Sequence, residues 1–476
     1  MSAWVRAPAG RGRSRQTALI SLNSAVRFFG TVIAKALSMT TDFRHPGVET
    51  LPRAKLQELQ LGRLREEVNR CYLHTDFYRQ KFDGAGVRPD DLRSLADLGR
   101  LPFTRKQELR EAQARWAPFG NFSAVPRDAW RELHPSTGTT GAPVYTVWSS
   151  RDQELIRDFT ARSLWTAGVR PGDVIHNAFR YGLWVAGLAV HYAAQELGCF
   201  VIPAGTDSMK VHLELLVNAR PTVLFATPSF ALALIDALRA RGMKPDDLNL
   251  HLGLFGGEPG AASGPVRSRI EEGLGLTALD IFGLAEIAPT MAAECPYKLG
   301  VHWAEDHHLV EIVDPISFEP CAPGKPGVLV LTDLTRDAMP MIRYWTGDLA
   351  VLDTTPCPCG RTHARSPGGI TGRLDDLVMY RGGKFYPVQV ETVLRRYGEL
   401  AAGFRIVLDR DPVSLLDQCT VLAEATGAGW QRELLARKLQ AELLEELGVE
   451  VEVRLVEPGE IGDSGFKARR VDDRRQ

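Results

Sequence analysis

Apolar positions along the chain fall into three textures. Near its start, Leu56, Leu59, Leu64, Val68 and Cys71 recur three to five residues apart, the spacing of one helix face. Two half-buried patterns follow and lead into a glycine- and threonine-rich loop at 136–143. Between 151 and 290, helical segments alternate with short apolar runs at 174–178, 200–203, 222–226 and 252–255, each with Asn, Pro or Gly at or near its end. Such runs predict parallel strands buried on both faces with helices as crossovers, an α/β architecture. The stretches 327–334 and 349–352 predict antiparallel strands flanking a turn. Past Gly372 the texture changes. One strong helix over 430–447 carries Leu435, Leu439, Leu443 and Leu447 at i,i+4 spacing, and runs at 405–408, 420–423 and 451–456 predict strands around it. The expectation is a large multi-subdomain N-terminal domain over 39–373 and a small, mobile α+β lid over 374–476, with the boundary at about 373–376.

Composition removes whole classes of function. With 44% hydrophobic and 24% charged residues over 476 positions, the chain is neither disordered in bulk nor a multi-span membrane protein. Lys and Arg number 57 against 58 Asp and Glu, a net charge of −1, so no global field draws it to nucleic acid or acidic lipid. Seven cysteines are too few and uneven for a disulfide framework, which points to a reduced, cytoplasmic setting. Residues 1–38 hold Arg6, Arg11, Arg13, Arg15, Arg27 and Lys35 but no acid. That bias has the composition of a transit peptide; the plainer expectation is an unstructured extension, or a start upstream of a true initiator at Met39.

The sharpest local signal is Ser136, Thr137, Gly138, Thr139, Thr140, Gly141, Ala142, Pro143. Two glycines let successive N–H groups converge on an anion, and the hydroxyls add donors, which suits a polyphosphate. No Gly-Lys-Ser/Thr ends the loop, so it is not a Walker motif. Further motifs follow in order: Gly256, Gly257, Glu258, Pro259; Phe282, Gly283, Leu284, Ala285, Glu286; Tyr344 to Asp348; Gly372 to Asp376; and Asp463 to Lys467. This ordered set resembles the adenylate-forming superfamily of acyl-CoA synthetases, adenylation domains and luciferases. Within it the chain is most similar to phenylacetate-CoA ligases, from about Phe43 to Asp473, through Leu101-Pro102-Phe103-Thr104, His176-Asn177-Ala178, Glu305-Asp306-His307 and the stretch from Cys357 to His363.

The resemblance implies two half-reactions: ATP and a carboxylic acid give acyl-AMP and pyrophosphate, then the CoA thiol displaces AMP. Carboxylate attack on the α-phosphorus concentrates negative charge, so positioned cations and backbone donors should dominate. By resemblance, the catalytic residues are Lys467, Glu286 and Thr139, with Lys467 bridging carboxylate and α-phosphate and Glu286 holding Mg²⁺. Ser136, Thr137, Gly138, Thr140 and Gly141 would bind phosphate; Gly256, Gly257, Glu258, Phe282 and Gly283 the nucleotide; Asp348 and Arg373 the ribose. Asp375 would be the hinge of the lid. The chain departs from the family where Ala142 replaces a loop lysine, and Phe282 and Ala285 replace two hydroxyl residues, so weaker ATP binding is expected.

Phe179, Tyr181 and Trp184 are candidate flat walls for an aromatic ring, and Arg180 either meets a ring substituent or faces solvent. Arg180, Thr206 and Asp207 stand where the family tends to have glycines, so the resemblance implies an aromatic acid, phenylacetate-like or, given these departures, a substituted benzoate or anthranilate. Cys295 and His302, spaced C-x6-H, and Cys357 and Cys359, spaced C-x-C, supply four ligands of the number and type of a closed tetrahedral Zn²⁺ site, the alternative being buried free thiols. The expected partners are an aromatic carboxylic acid and CoA, with no nucleic acid and no membrane. A homodimer, a carrier-protein phosphopantetheine acceptor, AMP transfer to another acceptor and a non-catalytic scaffold stay open at this stage.

Overall fold

The computed structural model describes residues 42–136, 142–262, 264–381, 383–411, 416–426, 429–462 and 470–475, with residue 375 described by its backbone alone. From Arg44 onward these residues form one compact unit. Its centre is an eight-stranded sheet in the order Arg365–Ser366, Val301–Trp303, Ala288–Glu294, Thr277–Leu284, Leu252–Phe255, Val223–Ala226, Val174–Asn177, Phe200–Ile202. The five strands from Thr277–Leu284 to Phe200–Ile202 pair in parallel, and the other three pair antiparallel. Val223–Ala226 and Leu252–Phe255 are buried at every position, which is why their sequence reads as unbroken apolar runs. Phe200–Ile202 is the exception: as the sheet edge it leaves Phe200 65% exposed.

A second sheet joins Thr104–Arg105, Tyr344–Ala350, Gly327–Asp333 and His308–Val313, with Gly372–Arg373 also paired to Tyr344–Ala350. The expected antiparallel pair is there, but its second strand starts at Tyr344 and ends at Ala350, shifted from 349–352. Polar Thr346 and Asp348 hide that strand in sequence, although both are buried in the fold.

The C-terminal residues build a separate core. A four-stranded sheet runs Glu452–Val456, Asp417–Ala425, Leu400–Arg410, Val471–Asp473, and the hairpin Val378–Tyr380/Gly383–Phe385 lies alongside. The helix Gly429–Leu447 packs Leu439, Leu443 and Leu447 against this sheet. Arg269, on the helix Gly264–Leu274, reaches this region and donates to the carbonyls of Leu400 at 2.7 Å and Tyr397 at 3.5 Å. Among the described residues no helix is long and apolar enough to cross a membrane.

Candidate active site

Parallel strands of an α/β sheet present their C-terminal ends to a common crevice, and here that crevice is a cleft of about 1050 Å³. It is lined by residues 256–260 after Leu252–Phe255, by 280–286 at the end of Thr277–Leu284, and by 344–348, 370–373 and C-terminal side chains including Glu391 and Arg470. Two glycines explain why the chain can approach itself here. A Cβ on Gly256 would lie 2.4 Å from the Ile281 carbonyl oxygen, and Gly257 sits at φ +86° beside the Trp184 ring. Gly283 is held as tightly, since a Cβ there would lie 1.9 Å from the Pro289 oxygen. Phe282 stands edge-on to Trp303 with ring centroids 5.6 Å apart.

Glu286 is buried, and its Oε1 meets the ammonium of Lys106 at 2.9 Å. Burial alone would raise its pKa, but the charge and hydrogen bond of Lys106 and a bond from Tyr344 outweigh burial and hold it below the usual carboxylate range. An ionised carboxylate facing the cleft is the donor type a hard cation such as Mg²⁺ takes. Its loop is fixed to a distant hairpin: Thr146 donates to the Ala285 carbonyl at 3.1 Å, and Arg336 donates to the carbonyls of Ile287 at 2.7 Å and Val147 at 3.2 Å.

That hairpin pairs Trp130–Pro135 with Tyr145–Ser149. Ser136 closes the base of its loop: the N–H of Ser136 donates to the Val144 carbonyl at 2.7 Å, and Ser136 Oγ accepts the Val144 N–H at 3.0 Å. The helix Lys106–Arg115 braces the returning strand, with Gln113 bonding both polar groups of the Tyr145 backbone and Arg110 Nε donating to the Ala142 carbonyl at 2.8 Å. Thr137, Gly138, Thr139, Thr140, Gly141 and Lys467 lie outside the described residues, as does the side chain of Asp375, whose backbone is in the turn Leu374–Asp376.

Asp348 and Arg373 face each other across paired strands, and Arg373 donates to Asp348 Oδ1 at 2.6 Å. Glu258 accepts the Ser229 N–H at 2.7 Å, satisfying one open donor at the start of the helix Pro228–Ala240. Burial raises the Glu258 pKa despite the nearby Arg470 charge. Asp280, on the cleft lining, is pushed well above its ordinary value by burial and by the charge of Glu294.

Phe179 and Trp184 line the cleft as perpendicular rings 5.1 Å apart. Tyr181 does not join that wall: its hydroxyl is bonded to Asn177 Nδ2 at 2.8 Å and His191 Nδ1 at 3.0 Å, and its ring lies against Gly205. Arg180, Thr206 and Asp207 are exposed.

The four metal-ligand candidates converge. One ligand atom each from Cys295, His302, Cys357 and Cys359 lies within 4.8 Å of the others, and all four residues are buried. Cys295 and Cys357 Sγ are 3.8 Å apart, and Cys359 Sγ is 3.5 Å from His302 Nε2. A tetrahedron with zinc bonds of about 2.3 Å to sulfur and about 2.0 Å to nitrogen has edges of about 3.5–3.8 Å. The donor set therefore fits zinc in type and spacing.

Residues 106–335 match the family model of the AMP-binding enzyme, and 382–475 that of the AMP-binding enzyme C-terminal domain. The phenylacetate-coenzyme A ligase of Thermus thermophilus is 40% identical over 455 residues, covering 90% of this chain and 99% of that protein. The chain belongs to the phenylacetate-CoA ligase family. It is an AMP-forming acid–CoA ligase, working by ATP-dependent ligation through an acyl adenylate. Among solved structures, 2-hydroxyisobutyryl-CoA ligase in the postadenylation state with R3-HIB-AMP superposes with a TM-score of 0.85 at 32% identity, over 90% of this chain and 92% of that one. In its thioesterification state, with 2-HIB-AMP and CoA, the same ligase gives 0.69 over the same coverage. The match thus extends to a large N-terminal and a C-terminal domain.

The structure brings Gly256, Gly257, Glu258, Phe282, Gly283, Glu286, Asp348, Arg373, Phe179 and Trp184 to one cleft, and leaves Tyr181 off it. Sequence reasoning missed Lys106, Arg110 and Asp280, which also line it. Lys106 and Arg110 follow the 101–104 motif directly and Asp280 precedes Phe282 by two, so adjacency to motifs was the available signal.

Proposed function

We propose that this ligase activates an aromatic carboxylic acid as its acyl adenylate and transfers the acyl group to CoA, releasing AMP and pyrophosphate. The observation that carries the aromatic preference is the pair of perpendicular rings, Phe179 and Trp184, beside Gly257 on the cleft. Such a wall suits a planar apolar ring edge-on or offset. In this reading Gly256 and Gly257 border the adenine, Asp348 fixed by Arg373 accepts the ribose hydroxyls, and the loop at 137–141 holds phosphate. Glu286 holds Mg²⁺, which when bound would neutralise charge building on the phosphates. Lys467 meets the reacting carboxylate and α-phosphate from a C-terminal domain beginning near 374, which turns about Asp375 between half-reactions. Cys295, His302, Cys357 and Cys359 hold a structural zinc away from the chemistry, tying the segment after Glu286 to the strand pair beyond Asp348.

The test is turnover of a panel of phenylacetate-, benzoate- and anthranilate-type acids and short aliphatic hydroxy acids with ATP and CoA, read by mass spectrometry. Aryl-CoA and AMP with aryl acids as preferred substrates are expected. Preference for the aliphatic acids would overturn the aromatic assignment. AMP without thioester would move the acceptor to a carrier protein or another group.

A further inference from the structure

Around the aromatic wall of the cleft, the polar side chains picked out by sequence are either engaged or turned outward. Asn177 donates its amide to the Tyr181 hydroxyl at 2.8 Å and to the Gly187 carbonyl at 3.0 Å, and accepts the Phe179 N–H at 3.2 Å. Arg180, Thr206 and Asp207 are exposed, and none of them lines the cleft. Thr290 differs from all of these. It is the third residue of the strand Ala288–Glu294, is 1% exposed and lines the cleft, yet its Oγ1 has no hydrogen-bond partner.

Its surroundings make that hydroxyl conspicuous. The helix Val185–Glu196 starts directly after Trp184 and packs against the strand that carries Thr290. Ala186 and Ile281 share an apolar cluster with Phe179 and Trp184, and Val185 shares another with Met291, the neighbour of Thr290. Val185, Ala186, Ile281 and Pro289 line the same cleft. A buried hydroxyl in such a wall costs folding free energy while it is unpaired, and a valine would fill the space without that cost. A ligand that brings a polar group to this point removes the penalty, and a hydroxyl can pair with either a donor or an acceptor.

We propose that Thr290 is a specificity-determining residue whose hydroxyl bonds a hydroxyl or amino group on the ring of the aromatic acid, so that the enzyme selects a ring-substituted aryl acid over the bare one. The proposal rests on the reading of Phe179 and Trp184 as the aryl wall.

Matched acids test it. Phenylacetate and benzoate are compared with their ortho, meta and para hydroxy and amino derivatives by kcat/KM, in the unaltered enzyme and in Thr290→Val and Thr290→Ser. At one ring position the substituted acid should be favoured about 10-fold or more, because a bare ring shuts the Thr290 hydroxyl away from water unpaired. Thr290→Val should erase or invert that preference and leave the KM for ATP where it is, whereas Thr290→Ser should keep it. Ligand-free Thr290→Val should melt no lower than the unaltered protein; a lower midpoint would mean that the hydroxyl already has a structural partner, and would overturn the proposal. A preference for the bare ring in the unaltered enzyme, or an unchanged preference in Thr290→Val, would overturn it too and leave the aromatic assignment standing. A preference for aliphatic hydroxy acids over every aryl acid would overturn both.

Discussion

Replacing Lys106 by Met removes the counter-charge from a carboxylate that is almost wholly buried at the cleft wall. The Glu286 side chain is 6% exposed and that of Lys106 29%. Breaking a buried pair from one side costs about 3–5 kcal/mol; the partial exposure of the lysine brings this to about 2–4 kcal/mol. Unfolding entropy of about 2.1 cal/mol/K per residue over the roughly 430 residues of the compact unit from Arg44 onward converts this to a fall in thermal midpoint of about 2–4 °C. The pH dependence carries the diagnosis. In the parent protein Glu286 titrates below its ordinary value, so its stabilisation is present above about pH 4.5 and is lost only as pH falls through the depressed folded value. Without Lys106, burial is the larger influence left, and it raises the folded value above the unfolded one. The unfolded chain then releases its proton first, and the deficit grows as pH rises, by at most about 1.4 kcal/mol per pH unit. Thermal unfolding of ligand-free protein should show the largest loss near about pH 7.5 and a smaller one near about pH 5. Adding Glu286→Gln to Lys106→Met should restore most of the midpoint at the higher pH. A deficit that is flat with pH, or a double variant no better than the single one, would show that Lys106 contributes packing and not charge.

Protein purified without added zinc should carry about one Zn per chain, because structural sites bind tightly, and Cys357→Ser should lose both metal and thermal stability; sub-stoichiometric metal by mass spectrometry would refute the site. Lys467→Ala should slow acyl-AMP formation by about 10²–10³ while supplied acyl-AMP and CoA still give thioester near the normal rate. Equal impairment of both half-reactions, measured separately by rapid quench, would remove Lys467 from the adenylation step.

The parts of this fold legible in sequence are those whose burial is uniform. Val223–Ala226 and Leu252–Phe255 touch core on both faces, so composition alone marks them as inner strands. Tyr344–Ala350 was legible only at its end, because Thr346 and Asp348 are polar residues inside a strand, kept there by the Leu329 carbonyl and by Arg373. The metal-ligand set was legible as a candidate because three cysteines and a histidine are the donor set of a closed tetrahedral site; what the sequence lacked was their convergence, with the four ligand atoms within 4.8 Å of one another. The Lys106–Glu286 pair could not: the two residues are 180 positions apart, and neither carries a local mark of the other. Tyr181 shows the opposite failure. Its type suited an aromatic wall, but its hydroxyl satisfies Asn177 and His191, and a ring follows its hydrogen bonds.

Arg269 grips the C-terminal region at the carbonyls of Tyr397 and Leu400, which are main-chain atoms. Their side chains can drift without loosening the hold, because every amino acid offers the same oxygen there. A change in how firmly this one contact is held is therefore written at position 269, or at Asp236, 3.7 Å from its guanidinium. Of the two partners in this contact, the helix Gly264–Leu274 supplies the one that substitution can tune.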